Sequence, residues 1–187
     1  MYIADGNGSD GRKLTTLPGK AFWIRWSPDS TRIRFTVIDT KTRVQTLWEC
    51  SAEGKDLHRV PLSWDKQPQE CCGEWTPDGK YFLFRIFRDD RADIWLIFDQ
   101  PSPFRRQSQK PVRLTAGPLN SAAAIPSRDG KKLFAVEVIP KSELYKYDLK
   151  TRRLALFLPG ISAVAADFSP NHQWAVYVEA RAKEFIL

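Results

Sequence analysis

Asp29, Asp78 and Asp129 recur at steps of 49 and 51 residues, and Asn171 follows after a further 42. A spaced series of carboxylates is the first place to look for acid–base chemistry. Each of these residues sits in a similar setting: Trp26-Ser27-Pro28-Asp29-Ser30, Trp75-Thr76-Pro77-Asp78-Gly79-Lys80, Ile125-Pro126-Ser127-Arg128-Asp129-Gly130 and Phe168-Ser169-Pro170-Asn171-His172. Proline presets φ at about −65°, aspartate bonds its own backbone, and glycine accepts a positive φ, so the setting is a turn between two strands. One aspartate per turn keeps the carboxylates apart. The series is read as turn chemistry, with no shared acid–base pair.

The remaining reactive residues do not assemble into a catalytic set. Gly6-Asn7-Gly8-Ser9-Asp10-Gly11 fits Gly-x-Gly-x-x-Gly, but a dinucleotide site needs a helix after the loop, and Arg12 to Leu17 reads as a short strand stopped by Pro18. Asp5, Asn7 and Ser9 resemble the start of a calcium loop, yet Asp10 stands where that loop needs glycine and Thr16 where it needs glutamate. A hairpin turn accounts for both patterns. Asn7-Gly8-Ser9 is formally a glycosylation sequon, relevant only in a eukaryotic secretory setting. There is no Gly-x-Ser-x-Gly elbow, and His58 and His172 are read as strand-end and turn residues. Cys50, Cys71 and Cys72 leave an odd thiol whatever pairs, and with no Cys-x-x-Cys a zinc site is not expected. Adjacent cysteines rarely bond each other, and a Cys50 link to Cys71 or Cys72 requires neighbouring strands, so small buried thiols are expected. No catalytic residue, cofactor site or metal site is assigned.

Positioning elements follow from the punctuation. Thirteen prolines and ten glycines are spread among short apolar runs, the pattern of many strands and turns. The N-terminal segment supplies two strands, Met1 to Asp5 and Arg12 to Leu17. The first full repeat has strands at Phe22–Trp26, Arg32–Ile38, Thr46–Cys50 and around Leu57–Val60. In the second of these, Ile33, Phe35 and Val37 alternate with Arg32, Arg34 and Thr36, which predicts one buried and one wet face. The second repeat has a strand ending at Trp75, then Tyr81–Phe87, Asp93–Phe98 and Val112–Thr115. Tyr81–Phe87 is apolar on both sides, as in a sheet packed on each face. The third runs through Ala122–Ile125, Lys132–Val138, Leu144–Asp148 and Leu154–Leu158. The fourth has Val164–Phe168 and Trp174–Val178 and ends at Lys183 to Leu187, within a third strand.

Four strands in a period of 40 to 50 residues is the content of a propeller blade. The expected fold class is all-β: a partial β-propeller of about four blades made of four-stranded antiparallel sheets, with incomplete first and last blades. It forms one domain over residues 1–187, with repeats at about 1–18, 19–61, 70–116, 119–159 and 161–187. No apolar run reaches the roughly 20 residues of a membrane helix, so membrane insertion is not expected. The net charge of +7 is scattered over every repeat, and the densest loop, Phe104 to Lys110, holds only three basic residues. It is read as a solvated surface and not as a nucleic-acid footprint.

The Trp-Ser/Thr-Pro-Asp-Gly turn, the strand Asp93-Ile94-Trp95-Leu96-Ile97 and the endings Arg113-Leu114-Thr115 and Lys13-Leu14-Thr15 together resemble the bacterial WD40-like propeller repeat of TolB-type proteins. The segment from Cys71 to Phe82, and Leu114 to Leu119 with Pro126 to Phe134, are similar to the propeller region of CadC-type winged-helix regulators or propeller-bearing serine/threonine kinases. The resemblance implies a six-bladed binding, sensing or scaffold platform that takes a protein or small ligand at its loops or channel. It supplies no catalytic residues. The third repeat's neighbour departs from the pattern with Asn171-His172 in place of Asp-Gly and then stops, like a fragment or truncated frame. Exposed blade edges would then favour self-association. Compartment and parent architecture stay open, and the propeller of a prolyl-oligopeptidase-like serine peptidase is the alternative.

Overall fold

The computed structural model describes residues 1–88, 91–99, 109–117, 120–138, 142–171 and 173–179. Every regular element among them is a strand. The chain divides into two compact units, Met1–Glu137 and Val138–Leu187.

In the first unit, β1 (Tyr2–Ile3) pairs with β2 (Arg12–Lys13). The Gly6 to Gly11 loop closes this hairpin through Gly8 N to Asp5 O and Ser9 N to Asn7 Oδ1, 2.8 and 2.9 Å, and no helix follows it. An antiparallel four-stranded sheet follows: β3 (Lys20–Trp26), β4 (Arg32–Ile38), β5 (Gln45–Ser51) and β6 (His58–Arg59). A second has the same order: β7 (Gln69–Trp75), β8 (Tyr81–Arg88), β9 (Arg91–Phe98) and β10 (Val112–Arg113). The hairpin of β11 (Asn120–Pro126) and β12 (Leu133–Val138) comes next.

The second unit contains two hairpins, β13 (Tyr145–Asp148) with β14 (Arg153–Leu156), and β15 (Ala163–Phe168) with β16 (Ala175–Glu179). The third repeat's predicted strands are all present, as two separate two-stranded ladders. The predicted last strand, Lys183 to Leu187, lies outside the described residues, as do His172 and residues 100–108, which include most of the basic loop Phe104 to Lys110. Large apolar side chains of the second unit stay exposed, among them Tyr147, Leu154, Trp174 and Val176.

The recurring turn explains the spacing. Ser27 Oγ accepts from Arg32 N at 2.9 Å and donates to Asp29 Oδ1 at 2.6 Å, while Asp29 also accepts from Thr31 N. Thr76 with Asp78, Ser127 with Asp129, and Ser169 with Asn171 repeat the arrangement. Asn171 therefore keeps the acceptor role without the charge. The place after the acid has positive φ, 58° at Ser30, 69° at Gly79 and 68° at Gly130, which is why glycine recurs there.

The Ser27 hydroxyl, with the Thr31 amide behind it, holds the Asp29 carboxyl down at about 2. A depressed carboxylate stabilises the fold above its unfolded value, and the contribution disappears as pH falls through the folded one. Asp29→Ala is expected to cost about 0.5–1 kcal/mol at pH 7, limited by solvent exposure. Urea titrations should show the gap to the parent chain closing between pH 4 and pH 2.

Two apolar clusters stabilise the first unit. Ile33, Phe35, Val37 and Cys50 pack with Met1, Leu14, Leu17 and Trp48 on one side of the first sheet. Leu47, Val60, Trp75, Phe82, Phe84, Ile86 and Ile97 fill the seam between the two sheets, with Trp64 and Trp95 against them. Each large side chain buried there contributes about 1.5–3 kcal/mol. Strand β4 is buried on both faces, which corrects the expected wet face: Arg32, Arg34 and Thr36 are 7%, 2% and 0% exposed. They point into the seam.

Candidate functional site

Burying two arginines requires opposite charge and hydrogen-bond acceptors around them. Register supplies the first acid. Arg34 and Glu49 are direct cross-strand partners on β4 and β5, so their side chains share a face. Glu49 Oε2 accepts from Arg34 at 2.5 Å and from Arg32 at 3.0 Å. The second acid comes from the other sheet, where Asp99 just past β9 meets Arg34 at 2.8 Å and Arg32 at 3.0 Å. The Trp75 indole N–H also donates to Asp99. Arg34 lies over the rings of Trp75 and Phe82, 4.7 and 4.3 Å from their centroids, a cation–π contact on top of the ion pairs.

Burial alone would raise the Asp99 pKa, but the Arg34 charge and the hydrogen bonds from Trp75 and both arginines outweigh it and hold the carboxyl below its ordinary value. For Arg32, burial works against the cation, and the charge of Glu49, with Asp99, overcomes it and raises the pKa. The four charges cancel. A cavity of about 20 Å³ adjoins them, lined also by His58, Val60, Pro61 and Gln109, which is room for about one water molecule.

A second polar cluster tightens the same seam. The Glu70 carboxylate, fully buried on β7, accepts from Leu47 N of the first sheet at 2.8 Å and from Trp64 Nε1 at 2.7 Å. Gln67 donates to it at 3.0 Å and Arg59 at 3.3 Å. Beside it, Gln69 Oε1 accepts from Gln45 N, and at the next seam Asn120 Oδ1 accepts from Ala92 N in the same way. Further across, Cys72 N donates to Thr36 Oγ1 and Trp23 Nε1 to the Gly73 carbonyl, at 3.2 and 3.1 Å.

The residues singled out from sequence are not brought together. Asp29, Asp78 and Asp129 are each satisfied inside their own turns. His58 is exposed on β6, its Nδ1 against Asp56 O at 2.6 Å. No group of three metal-binding side chains occurs among the described residues. The expectation of three thiols is corrected: Cys71 and Cys72 form a disulfide, and only Cys50 is a buried free thiol. Adjacent residues can be joined here because Cys72 has a φ of 61° at a register shift of β7, a backbone that ordinary strand does not offer. The residues that sequence reasoning missed are Arg32, Arg34, Glu49, Glu70 and Asp99. One signal was present: Arg34 stands where the other repeats carry Leu83, Phe134 and Val176.

Two four-stranded antiparallel sheets, the second packed on the first, can be compared with solved structures. TolB from Acinetobacter baumannii matches 98% of this chain at a TM-score of 0.55 and 17% identity. A protein assigned as TolB from Agrobacterium tumefaciens matches 99% at 0.55 and 17%. The fold is that of a TolB-type β-propeller. This chain spans 43% and 64% of the lengths of those two proteins. A structure from a study of two prolyl endopeptidases matches 87% of this chain, and 26% of its own, at 0.50 and 18% identity. No family model matches the sequence, and no curated protein is significantly similar to it. In propeller terms the two charge clusters lie in the seam between consecutive blades, and β3, β7, β11 and β15 are the first strands of their blades.

Proposed function

We propose that this propeller is a non-catalytic binding, sensing or scaffold module of a larger bacterial signalling or cell-envelope protein. One observation carries the reading: the converging charged side chains, Arg32, Arg34, Glu49 and Asp99, neutralise one another inside a blade seam beside about 20 Å³ of space. Charges spent in that way hold blades together and leave loops and open faces for partners. The likeness to TolB structures fits the same reading at the level of fold. The test is turnover of peptide, ester and glycan substrates by the purified full-length protein. No turnover is expected. Activity that is abolished by substitutions within residues 1–187 would overturn the proposal.

The second reading, a propeller that gates a serine peptidase, is favoured by the prolyl endopeptidase match. It requires a hydrolase with a Gly-x-Ser-x-Gly elbow in the same reading frame. A frame that encodes a winged helix and no such elbow removes it.

A further inference from the structure

The Cys71–Cys72 disulfide lies on β7, the first strand of the second blade, at the register shift between Cys71 and Glu74. The same irregularity occurs in the first blade without any cross-link. There β3 shifts register between Phe22 and Arg25, and Trp23 has a φ of 53° where Cys72 has 61°. The bulge is thus a property of the blade and does not depend on the bond. It is also held from outside, by Thr36 Oγ1 on Cys72 N and by the Trp23 indole on the Gly73 carbonyl. None of these contacts passes through the disulfide sulfurs.

Arg85 is the direct cross-strand partner of Cys71, and opposed residues of an antiparallel pair have Cβ atoms about 4.5–5.5 Å apart on one face. In the first blade the equivalent pair is Phe22 with Thr36. Cation and sulfur therefore appear together only in the second. Arg85 rests over the Phe87 ring at 4.6 Å, its Nε has no hydrogen-bond partner among the described residues, and burial pushes its pKa down. It is a guanidinium whose buried Nε lacks a partner among the described residues, opposite in the register to Cys71, whose sulfur becomes anionic when the bond opens.

We infer that Cys71 and Cys72 form a redox-active couple, reduced by low-molecular-weight thiols, in which Arg85 stabilises the thiolate that leaves from Cys71. Cys72 is half-buried and Cys71 is 3% exposed, so the incoming thiolate attacks Cys72 Sγ. A bond forms between that sulfur and Cys72, the Cys71–Cys72 bond breaks, and Cys71 departs with the electron pair and takes up a proton from solvent. A second molecule of the reagent attacks its own sulfur in the mixed disulfide, releasing Cys72 as the thiol and the reagent as its disulfide. The cation opposite Cys71 lowers the pKa of the leaving sulfur and so accelerates the first step.

Differential alkylation of the full chain with glutathione as reductant tests this. Trypsin separates Cys71 and Cys72, on the peptide from Gln67 to Lys80, from Cys50 on the peptide from Val44 to Lys55. After treatment with oxidised glutathione the first peptide should take no alkyl group, and after reduced glutathione it should take two, with the circular-dichroism spectrum and unfolding midpoint retained. Arg85→Met should slow opening about threefold to tenfold, whereas Arg85→Lys should keep most of the rate. Two alkyl groups on the oxidised chain, loss of the folded spectrum on reduction, or equal rates in Arg85→Met and the parent would each overturn the inference.

Discussion

Replacing either Arg34 or Glu49 by leucine is expected to cost about 3–5 kcal/mol, and replacing both far less than either alone. Arg34→Leu removes one cation from between Glu49 and Asp99 and leaves Arg32 to face both carboxylates. Glu49→Leu leaves Arg32 and Arg34 facing Asp99 alone. The double variant keeps Arg32 on Asp99 at 3.0 Å with the Trp75 indole still donating, a balanced pair. It also reproduces what the second blade already has, because Leu83 opposes Leu96 at the matching register. Urea unfolding of the four chains should give a coupling of at least about 2 kcal/mol. Additive losses would mean that the cluster does not act as a unit.

Acid separates the variants further. Burial works against the ionised Asp99, and the Arg34 charge leads the effects that hold its carboxyl low. The stability this carboxylate contributes is present above its unfolded pKa and is lost as pH falls through the folded one. Without Arg34 the folded value rises, so Arg34→Leu should begin to lose stability at a higher pH than the parent chain.

The strands and turns of this fold were legible because their causes are local. Proline, aspartate and glycine at Pro77-Asp78-Gly79 act within a few residues, and the same hydroxyl-to-acid bond recurs from Ser27 to Ser169. The seam was not legible. Alternation along Arg32 to Val37 fixes which residues share a face, but a face of arginines is wet or dry according to what covers it. The cover here includes Asp99, 65 residues beyond Arg34, and nothing local to β4 announces it. The disulfide was missed for a related reason: two adjacent cysteines in regular strand point to opposite faces, and only the positive φ at Cys72 turns them together.

Glu70→Leu is expected to destabilise the protein by about 3 kcal/mol or more, because it removes one acceptor and strands several donors. Leu47 N ends on this carboxylate in buried surroundings, and the half-buried Trp64 Nε1 and the exposed Gln67 Nε2 donate to its other oxygen. The next seam shows that the donor is the constant part. Ile94 N, the counterpart of Leu47 N, is satisfied there by Thr115 Oγ1 at 2.9 Å, and buried Ser121 occupies the Glu70 position, bonded to Thr115 and Glu137. The third strand's N–H needs a side-chain acceptor: Glu70 of the following blade supplies it to Leu47, whereas Thr115 of the same blade, bonded to Ser121 of the following one, supplies it to Ile94. Glu70→Gln retains one carbonyl oxygen and should cost less than Glu70→Leu, since Leu47 N can keep its partner while an indole or amide donor faces an N–H group. Hydrogen exchange locates the effect. The Leu47 amide should lose protection in Glu70→Leu while the Ile94 amide keeps it, and equal protection of Leu47 in parent and variant would show that the blade contact does not depend on Glu70.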